Sequence, residues 1–303
     1  MKSKCVIGTW GWGNGFNGSG MIFGHTPKET QLAMSFRSAV NNDFMIFDTA
    51  PVYGGGSSEK RLGKLAENNS EVIISTKYFP AEKSGTSNVK KSFEKSLSRL
   101  KRESVDILWL HQPVNIENNM KAMAELVLDG KITHIGISNA NMADVQLAQN
   151  VLSKYSIKLY GVQNHYSLIF RKYEDNGLLD YCRKNGIEFW AYMLLEQGAL
   201  TGVKKLPAFS RRGIIFDRSK IEKLTTLTDK MSEIAEKYQT DIAGISVAHA
   251  CSKGMLPIVG ATRPEHIENL AKSTQLILSR NEISLLERIA DKTGISVKAS
   301  WEN

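Results

Sequence analysis

The chain contains 303 residues, of which 42% are hydrophobic and 23% charged, and its formal net charge is +8. This composition is typical of a globular protein with a full core, and no stretch approaches the roughly 20 apolar residues of a membrane helix or the core of a signal peptide. The basic residues form scattered pairs and the three cysteines lack metal-ligand spacing. We therefore expect a cytoplasmic protein that binds no nucleic acid, membrane or metal, while its oligomeric state stays open.

Eight short apolar segments rich in β-branched residues alternate with longer segments of helical period, such as residues 89–100. This alternation indicates parallel strands joined by crossover helices, and eight units favour a closed barrel because closure leaves no exposed sheet edge. We predict a single α/β domain over residues 1–303, folded as a (β/α)8 TIM barrel. The predicted strands are residues 5–9, 45–49, 72–77, 105–111, 132–138, 160–164, 187–192 and 256–260.

Three segments add to this simple repeat. A loop rich in glycine, lysine and arginine is predicted at residues 193–218, after the seventh strand. Two helices, at residues 218–237 and 241–253, are predicted before the eighth strand, and an extra C-terminal helix at residues 281–291 follows the barrel. The sequence leaves the role of the long loop open.

Polar side chains lie at the C-terminal ends of most predicted strands, although a buried parallel strand should be apolar. With right-handed crossovers these ends converge on one rim of the barrel, where barrel enzymes carry their active sites. We therefore expect one pocket built from several separate segments. The residues are Asp48, Lys77, His111, Ser138, Asn139, Gln163, Asn164 and Tyr192.

Three side chains of this rim, together with Tyr53 in the loop after the second strand, form a candidate proton-transfer group. A phenol such as that of Tyr53 has an ordinary pKa of about 10, so its ionised form needs stabilisation if it is to give up a proton readily. The ammonium of Lys77 favours the phenolate, and Asp48 keeps that ammonium charged and oriented. His111 supplies a further hydrogen bond to a carbonyl oxygen.

Each of these residues also has a structural interpretation. Asp48 and Lys77 alone would be a buried ion pair, and Tyr53 alone would be a loop aromatic that packs on the rim. His111, which follows an apolar strand, would be a core histidine. Taken together, the four residues favour an active site.

These residues and their order resemble the aldo-keto reductase family. The matches run in family order from Gly8 to Asn269 and cover nearly the whole chain. The matching segments are FDTAPVYG at residues 47–54 with SE at 58–59 and LG at 62–63, ISTK at 74–77, VDILWLH at 105–111, GISN at 136–139 and VQN at 162–164.

The resemblance implies a (β/α)8 barrel that binds NADPH in an extended form, without a glycine-rich dinucleotide fold. It implies that Asp48, Tyr53, Lys77 and His111 are the catalytic tetrad. The implied reaction is reduction of an aldehyde or ketone by hydride transfer, with Tyr53 as proton donor, and the reverse oxidation. The implied partner is a small carbonyl compound.

The resemblance also implies the residues that hold the nicotinamide. Ser138, Asn139 and Gln163 would bond its carboxamide, to which their hydroxyl and amide groups present matched donors and acceptors. Tyr192 would stack on the ring and leave the other face free for hydride transfer. Trp10 is a further predicted cofactor contact.

The sequence departs from the family pattern after the seventh strand. Many members carry a Ser-Pro-Leu-Gly turn there, whereas residues 193–198 read MLLEQG. We expect pyrophosphate contacts from backbone groups or altered side chains at Leu195, Gln197 and Gly198.

The segment for the adenine end reads VGATRPEHIEN at residues 259–269. Arg263 suits a 2′-phosphate, although Glu265 is close by, and Pro264 suits the first turn of a helix whose N-terminus faces a phosphate. We therefore predict NADPH rather than NADH, with NADH still possible. The predicted contacts in this segment are Gly260, Ala261, Thr262, Arg263 and Asn269.

Two further questions concern the substrate and the class of protein. Aromatic residues on the rim are either a substrate pocket or packing beneath loops: Trp10, Trp12, Tyr78, Phe79, His165, Tyr166 and Phe170. The main alternative to an enzyme is a cofactor-sensing regulatory or channel-associated subunit with little turnover. A barrel hydrolase or lyase would need a metal cluster or a carboxylate pair at the rim, and the sequence offers neither.

Overall fold

The computed structural model, which describes residues 4–80, 88–295 and 297, contains eight parallel strands in a closed barrel, each hydrogen-bonded to the next and β8 to β1. The predicted (β/α)8 barrel is thus confirmed. The strands are β1 (Val6–Gly8), β2 (Ile46–Asp48), β3 (Ile73–Tyr78), β4 (Val105–Leu110), β5 (Ile132–Ser138), β6 (Leu159–His165), β7 (Glu188–Tyr192) and β8 (Leu256–Gly260).

Helices follow every strand and cover the outside of the barrel. Those of the repeat bury an apolar stripe, as α4 does with Val89, Phe93 and Leu100. The helices are α1 (Ser19–Phe23), α2 (Glu29–Asn41), α3 (Ser57–Ala66), α4 (Val89–Leu100), α5 (Ile116–Leu128), α6 (Met142–Ser153), α7 (Lys172–Asp175), α8 (Leu178–Lys184), α9 (Arg211–Ile215), α10 (Arg218–Lys237), α11 (Ile242–Ser252), α12 (Pro264–Ser273) and α13 (Arg280–Lys292).

The barrel interior is filled by side chains around the indole of Trp109. This indole lies 4.9 Å from that of Trp190, measured between ring centroids. Glycines on the two following strands make room for it, because a Cβ at Gly136 would collide with the indole and one at Gly161 would lie 3.1 Å from it. The barrel is therefore a packed core and not a pore.

The predicted long loop contains more structure than expected. It includes a 3-10 segment, Glu196–Thr201, and the short helix α9. Helix α9 contacts α1, which follows β1, and the Arg212 guanidinium carbon lies 5.9 Å from the Phe23 ring centroid. The two segments therefore meet above the C-terminal rim.

The described part of the chain was also searched for membrane and metal features. None of its helices has the length and apolar character required to cross a membrane. The same residues include no group of three or more His, Cys, Asp or Glu side chains arranged to hold a metal ion.

Candidate active site

A buried ion pair lies at the centre of the rim. The Lys77 ammonium donates to Asp48 Oδ2 at 2.5 Å and to the Thr49 carbonyl at 2.8 Å, and the Lys77 and Asp48 residues are only 1% and 3% exposed. The other carboxylate oxygen of Asp48 accepts from Ser75 Oγ at 2.8 Å and from Gln163 Nε2 at 3.0 Å. Because a buried charge is costly unless paired and hydrogen-bonded, these four hydrogen bonds stabilise the buried ion pair.

Tyr53 is brought to this pair by a tight turn after β2. The turn Tyr53–Gly56 contains Gly54 and Gly55, both at φ +60°, which favours glycine. A Cβ at Gly54 would also collide with the backbone of Asn14. The Lys77 Nζ atom lies 4.9 Å from the Tyr53 ring centroid, so its charge acts directly on the phenol. The phenol and the ammonium are therefore coupled, as the relay requires.

The protonation states follow from burial and from these neighbours. Burial raises the pKa of Tyr53 above its ordinary 10.0, and the Lys77 charge only limits this rise. The sequence argument considered only the charge of Lys77, which does favour the phenolate but has a smaller effect than burial. Burial alone would lower the pKa of Lys77, but Asp48 and Tyr53 raise it overall. In the protein without cofactor, Tyr53 is thus a protonated donor beside a permanent cation.

His111 faces the same cavity as Tyr53. Its ring lies edge-on to Tyr53 at 6.1 Å and to Phe79 at 5.6 Å between centroids. Burial, followed by repulsion from Lys77, lowers its pKa well below the ordinary 6.5, so the ring is neutral. Its Nδ1 atom is buried and has no hydrogen-bond partner among the described residues. A neutral imidazole with an unpaired nitrogen suits a hydrogen bond to a substrate oxygen.

These groups open into a cavity of about 530 Å³ that runs along the rim towards α12. Asp48, Tyr53 and His111 line it, and Lys77 lies directly behind Asp48. Eleven of the thirteen predicted cofactor residues also line it: Trp10, Ser138, Asn139, Gln163, Tyr192, Leu195, Gln197, Gly198, Gly260, Thr262 and Arg263.

Ala261 and Asn269, the two other predicted cofactor contacts, lie outside the lining. Ala261 is 1% exposed, and its carbonyl accepts from Trp12 Nε1 at 2.7 Å and from Ser35. Asn269 donates to Asp241, the N-cap of α11, at 2.9 Å. Both residues therefore serve packing between elements in this structure.

The polar residues predicted to hold a carboxamide form one connected network. The Tyr192 hydroxyl donates to Asn139 Oδ1 at 2.6 Å, and Asn139 Nδ2 donates to the His111 carbonyl at 2.9 Å. Ser138 Oγ donates to the Gln163 carbonyl at 2.6 Å. Asn139 adopts φ +59°, a left-handed conformation that asparagine tolerates, and this directs its side chain across the strand ends. The network holds Tyr192 and the amides in one arrangement.

Several cavity residues were missed by the sequence analysis. Arg211 and Arg212 of α9 line the cavity, as do His25 and His266. The sequence analysis had included the two arginines only among the scattered basic pairs, because a dibasic pair in a loop has no distinctive spacing. Burial lowers the pKa of each. The Nε atom of Arg212 is buried and has no hydrogen-bond partner within the described part of the chain.

This cationic end of the cavity fits an anionic cofactor. Arg263 stands at the N-cap of α12, where unpaired backbone N–H groups and the helix dipole favour a negative charge. Since the two arginines of α9 line the same cavity, a dinucleotide with several phosphates matches the donors present. The residues are thus compatible with NADPH whose nicotinamide lies at the rim network and whose phosphates lie near Arg263.

The predicted aromatic pocket is only partly assembled. Trp10 and Phe79 line the cavity, and Trp10 lies parallel to Tyr53 with 5.7 Å between ring centroids. The other five aromatic candidates are elsewhere: Trp12, Tyr78, His165 and Tyr166 are buried outside the cavity lining, and Phe170 lines a separate surface groove.

Comparisons with known proteins agree with this geometry. The model of the aldo/keto reductase family matches residues 4–291. L-glyceraldehyde 3-phosphate reductase of Escherichia coli (strain K12) is 30% identical over 303 aligned residues, which cover 89% of this chain and 86% of the relative. A glycerol dehydrogenase structure from Gluconobacter oxydans superposes with a TM-score of 0.81 at 23% identity, covering 98% of this chain and 94% of that one.

A third similar protein has been solved with a cofactor. The aldo/keto reductase from Klebsiella pneumoniae in complex with NADP and acetate superposes with a TM-score of 0.72. It is 23% identical, and the match covers 94% of this chain and 90% of that one.

Proposed function

Since the chain belongs to the aldo/keto reductase family, and is therefore an oxidoreductase of carbonyl and alcohol groups, we propose that it reduces aldehydes or ketones with NADPH and uses Tyr53 as the proton donor. The observation that carries the proposal is the meeting of four side chains from separate parts of the chain. Asp48, Tyr53, Lys77 and His111 surround the inner end of one cavity that continues to a cationic end. The reverse oxidation uses the same groups.

Each residue of the tetrad has a distinct role in this reaction. His111, a neutral imidazole, orients the carbonyl oxygen towards Tyr53 by a hydrogen bond. Tyr53 then transfers its proton to the developing alkoxide. Lys77 stabilises the phenolate that remains, and Asp48 holds the ammonium charged and directed at the phenol. NADPH, when bound, supplies the hydride.

The cofactor would lie between the rim network and α12. Ser138, Asn139 and Gln163 would hold the carboxamide, and Tyr192 would stack on the nicotinamide ring. The ring of Tyr192 is backed by His165 at 5.8 Å between centroids, while Tyr192 itself lines the cavity. The choice of NADP(H) is supported by the solved Klebsiella relative and by the arginines at the far end.

Replacing Arg263 by Ala should weaken NADPH binding about 10- to 100-fold and leave NADH binding unchanged, because a charge-assisted hydrogen bond contributes about 1.5–3 kcal/mol. The dissociation constants of both cofactors are measured by fluorescence titration. Arg280→Ala is the control, since Arg280 also begins a helix but lies outside the cavity. Equal loss of NADPH and NADH affinity in Arg263→Ala would refute the 2′-phosphate role.

The pH dependence of reduction should be flat between about pH 7 and 9. The pKa of His111 lies well below 6.5 and that of Tyr53 above 10.0, so neither changes its protonation state in this interval. We expect kcat/KM to fall only above about pH 10, as Tyr53 loses its proton. An inflection near pH 6.5 that disappears in His111→Gln would contradict this assignment.

A further inference from the structure

The turn that follows β7 is backbone-strained and faces the cavity. Met193, Glu196 and Gln197 have φ values of +65°, +46° and +55°, and Gly198 has +101°. Residues other than glycine rarely adopt such backbone angles, and a strained conformation of this kind persists only where contacts with the surrounding structure stabilise it. All residues from 193 to 198 except Glu196 line the cavity. The side chain of Glu196 therefore turns away from the cavity, into the protein.

The carboxylate of Glu196 is hydrogen-bonded by two buried side chains on the side of the turn that faces away from the cavity. Its Oε1 atom accepts from His165 Nε2 at 2.8 Å and from Ser167 Oγ at 2.5 Å, and His165 and Glu196 are both 0% exposed. The other oxygen, Oε2, is buried without a hydrogen-bond partner among the residues described. A buried carboxylate is costly unless it is well bonded, so its two donors fix where residue 196 lies.

The same histidine is part of a stack of rings that ends at the cavity. Phe170 lies parallel to His165 at 4.2 Å between centroids, and His165 lies parallel to Tyr192 at 5.8 Å. Tyr192 in turn donates to Asn139, a residue of the rim network. His165 thus contacts both the strained turn, through Glu196, and the ring proposed to stack on nicotinamide.

We propose that Glu196, bonded to His165 and Ser167, is a positioning residue that keeps the turn after β7 in its cofactor-binding conformation. The inference rests on the proposed use of NADPH. Without this anchor the left-handed residues would relax to ordinary backbone angles, and only a fraction of molecules would present the turn correctly. The apparent dissociation constant rises by the inverse of that fraction.

The test compares variants that remove or keep the acceptor on residue 196. Glu196→Ala removes it and should raise the Kd and KM for NADPH about tenfold, with the loss in affinity and not in kcat at saturation. Ser167→Ala removes one donor and should raise Kd about threefold. Glu196→Gln retains an acceptor oxygen for both donors and should restore Kd to within about threefold of the wild type.

A second His–Glu pair provides the matched control. His249 Nε2 bonds Glu287 Oε1 at 2.9 Å between α11 and α13, and neither residue lines the cavity. Glu287→Ala should lower the melting temperature and leave the Kd for NADPH unchanged. The inference is overturned if Glu196→Ala and Ser167→Ala both bind NADPH like the wild type, or if Glu287→Ala weakens binding as much as Glu196→Ala. A wild-type protein that does not bind NADPH at all would instead overturn the proposed function.

Discussion

Replacing Tyr53 by Phe should lower kcat for NADPH-dependent aldehyde reduction by about 10²- to 10⁴-fold, the usual contribution of a positioned proton donor. The substitution removes one oxygen atom and leaves the ring beside Trp10 and Lys77. The Kd for NADPH and the free energy of unfolding should therefore stay near their wild-type values. The measurement is NADPH consumption with a panel of simple aldehydes, with cofactor binding followed by fluorescence.

Tyr181→Phe is the control for this experiment. The Tyr181 hydroxyl also donates a hydrogen bond, to Gln149 at 2.8 Å, but it belongs to α8 and lies outside the cavity lining. Its loss should leave turnover unchanged. Full turnover in Tyr53→Phe would eliminate Tyr53 as the donor. A wild-type protein that binds NADPH but consumes it very slowly with every aldehyde would favour the cofactor-sensing alternative.

Replacing Lys77 by Met should affect both stability and catalysis. It leaves the Asp48 carboxylate buried without its cation, and removing one partner of a buried pair costs about 3–5 kcal/mol of unfolding free energy. Tyr53 also loses the charge that stabilises its phenolate, so kcat should fall at least as far as in Tyr53→Phe. Urea unfolding and steady-state kinetics on the same preparations measure the two effects.

The double variant Asp48→Asn with Lys77→Met separates the effect on stability from the effect on catalysis. It removes the unpaired charge, so most of the stability should return while the activity should not. Lys90→Met is the surface control, because Lys90 and Glu125 form a pair at 3.0 Å with both side chains about half exposed. We expect it to cost less than about 1 kcal/mol. A Lys77→Met protein as stable as Lys90→Met would contradict a charged buried pair.

The strands were predictable because they depend on local pattern, and the meeting of Asp48, Tyr53, Lys77 and His111 at one rim followed from the strand directions, while their catalytic roles stay predictions. An apolar β-branched run indicates a buried strand, and the direction of parallel strands then brings every C-terminal polar residue to one rim. Asp48 and Lys77 lie 29 positions apart in the chain, yet the parallel register pairs Asp48 with Ser75 and so places Lys77 two residues further along the neighbouring strand, close to the Asp48 carboxylate. The family resemblance was confirmed independently by the match over residues 4–291.

The rest of the site depends on contacts that no local pattern specifies. Arg211 and Arg212 reach the cavity only because α9 packs against α1, about 190 positions earlier in the chain. Ala261 lies outside the cavity lining because its carbonyl is used by Trp12 and Ser35, which sequence spacing does not reveal. The net pKa of Tyr53 was likewise unpredictable, since it is set by how much burial outweighs one neighbouring charge.

The indole that fills the barrel also belongs to the hydrogen-bond network around Asp48. Trp109 Nε1 donates to Ser75 Oγ at 2.7 Å, and Ser75 Oγ in turn donates to Asp48 Oδ1 at 2.8 Å. An apolar side chain of equal volume would preserve the packing between Gly136 and Gly161 but would remove the hydrogen bond that the Ser75 hydroxyl accepts. One indole therefore both fills the middle of the barrel and supports the hydrogen bonding of the buried ion pair, so a substitution that alters the filling also alters the surroundings of Asp48.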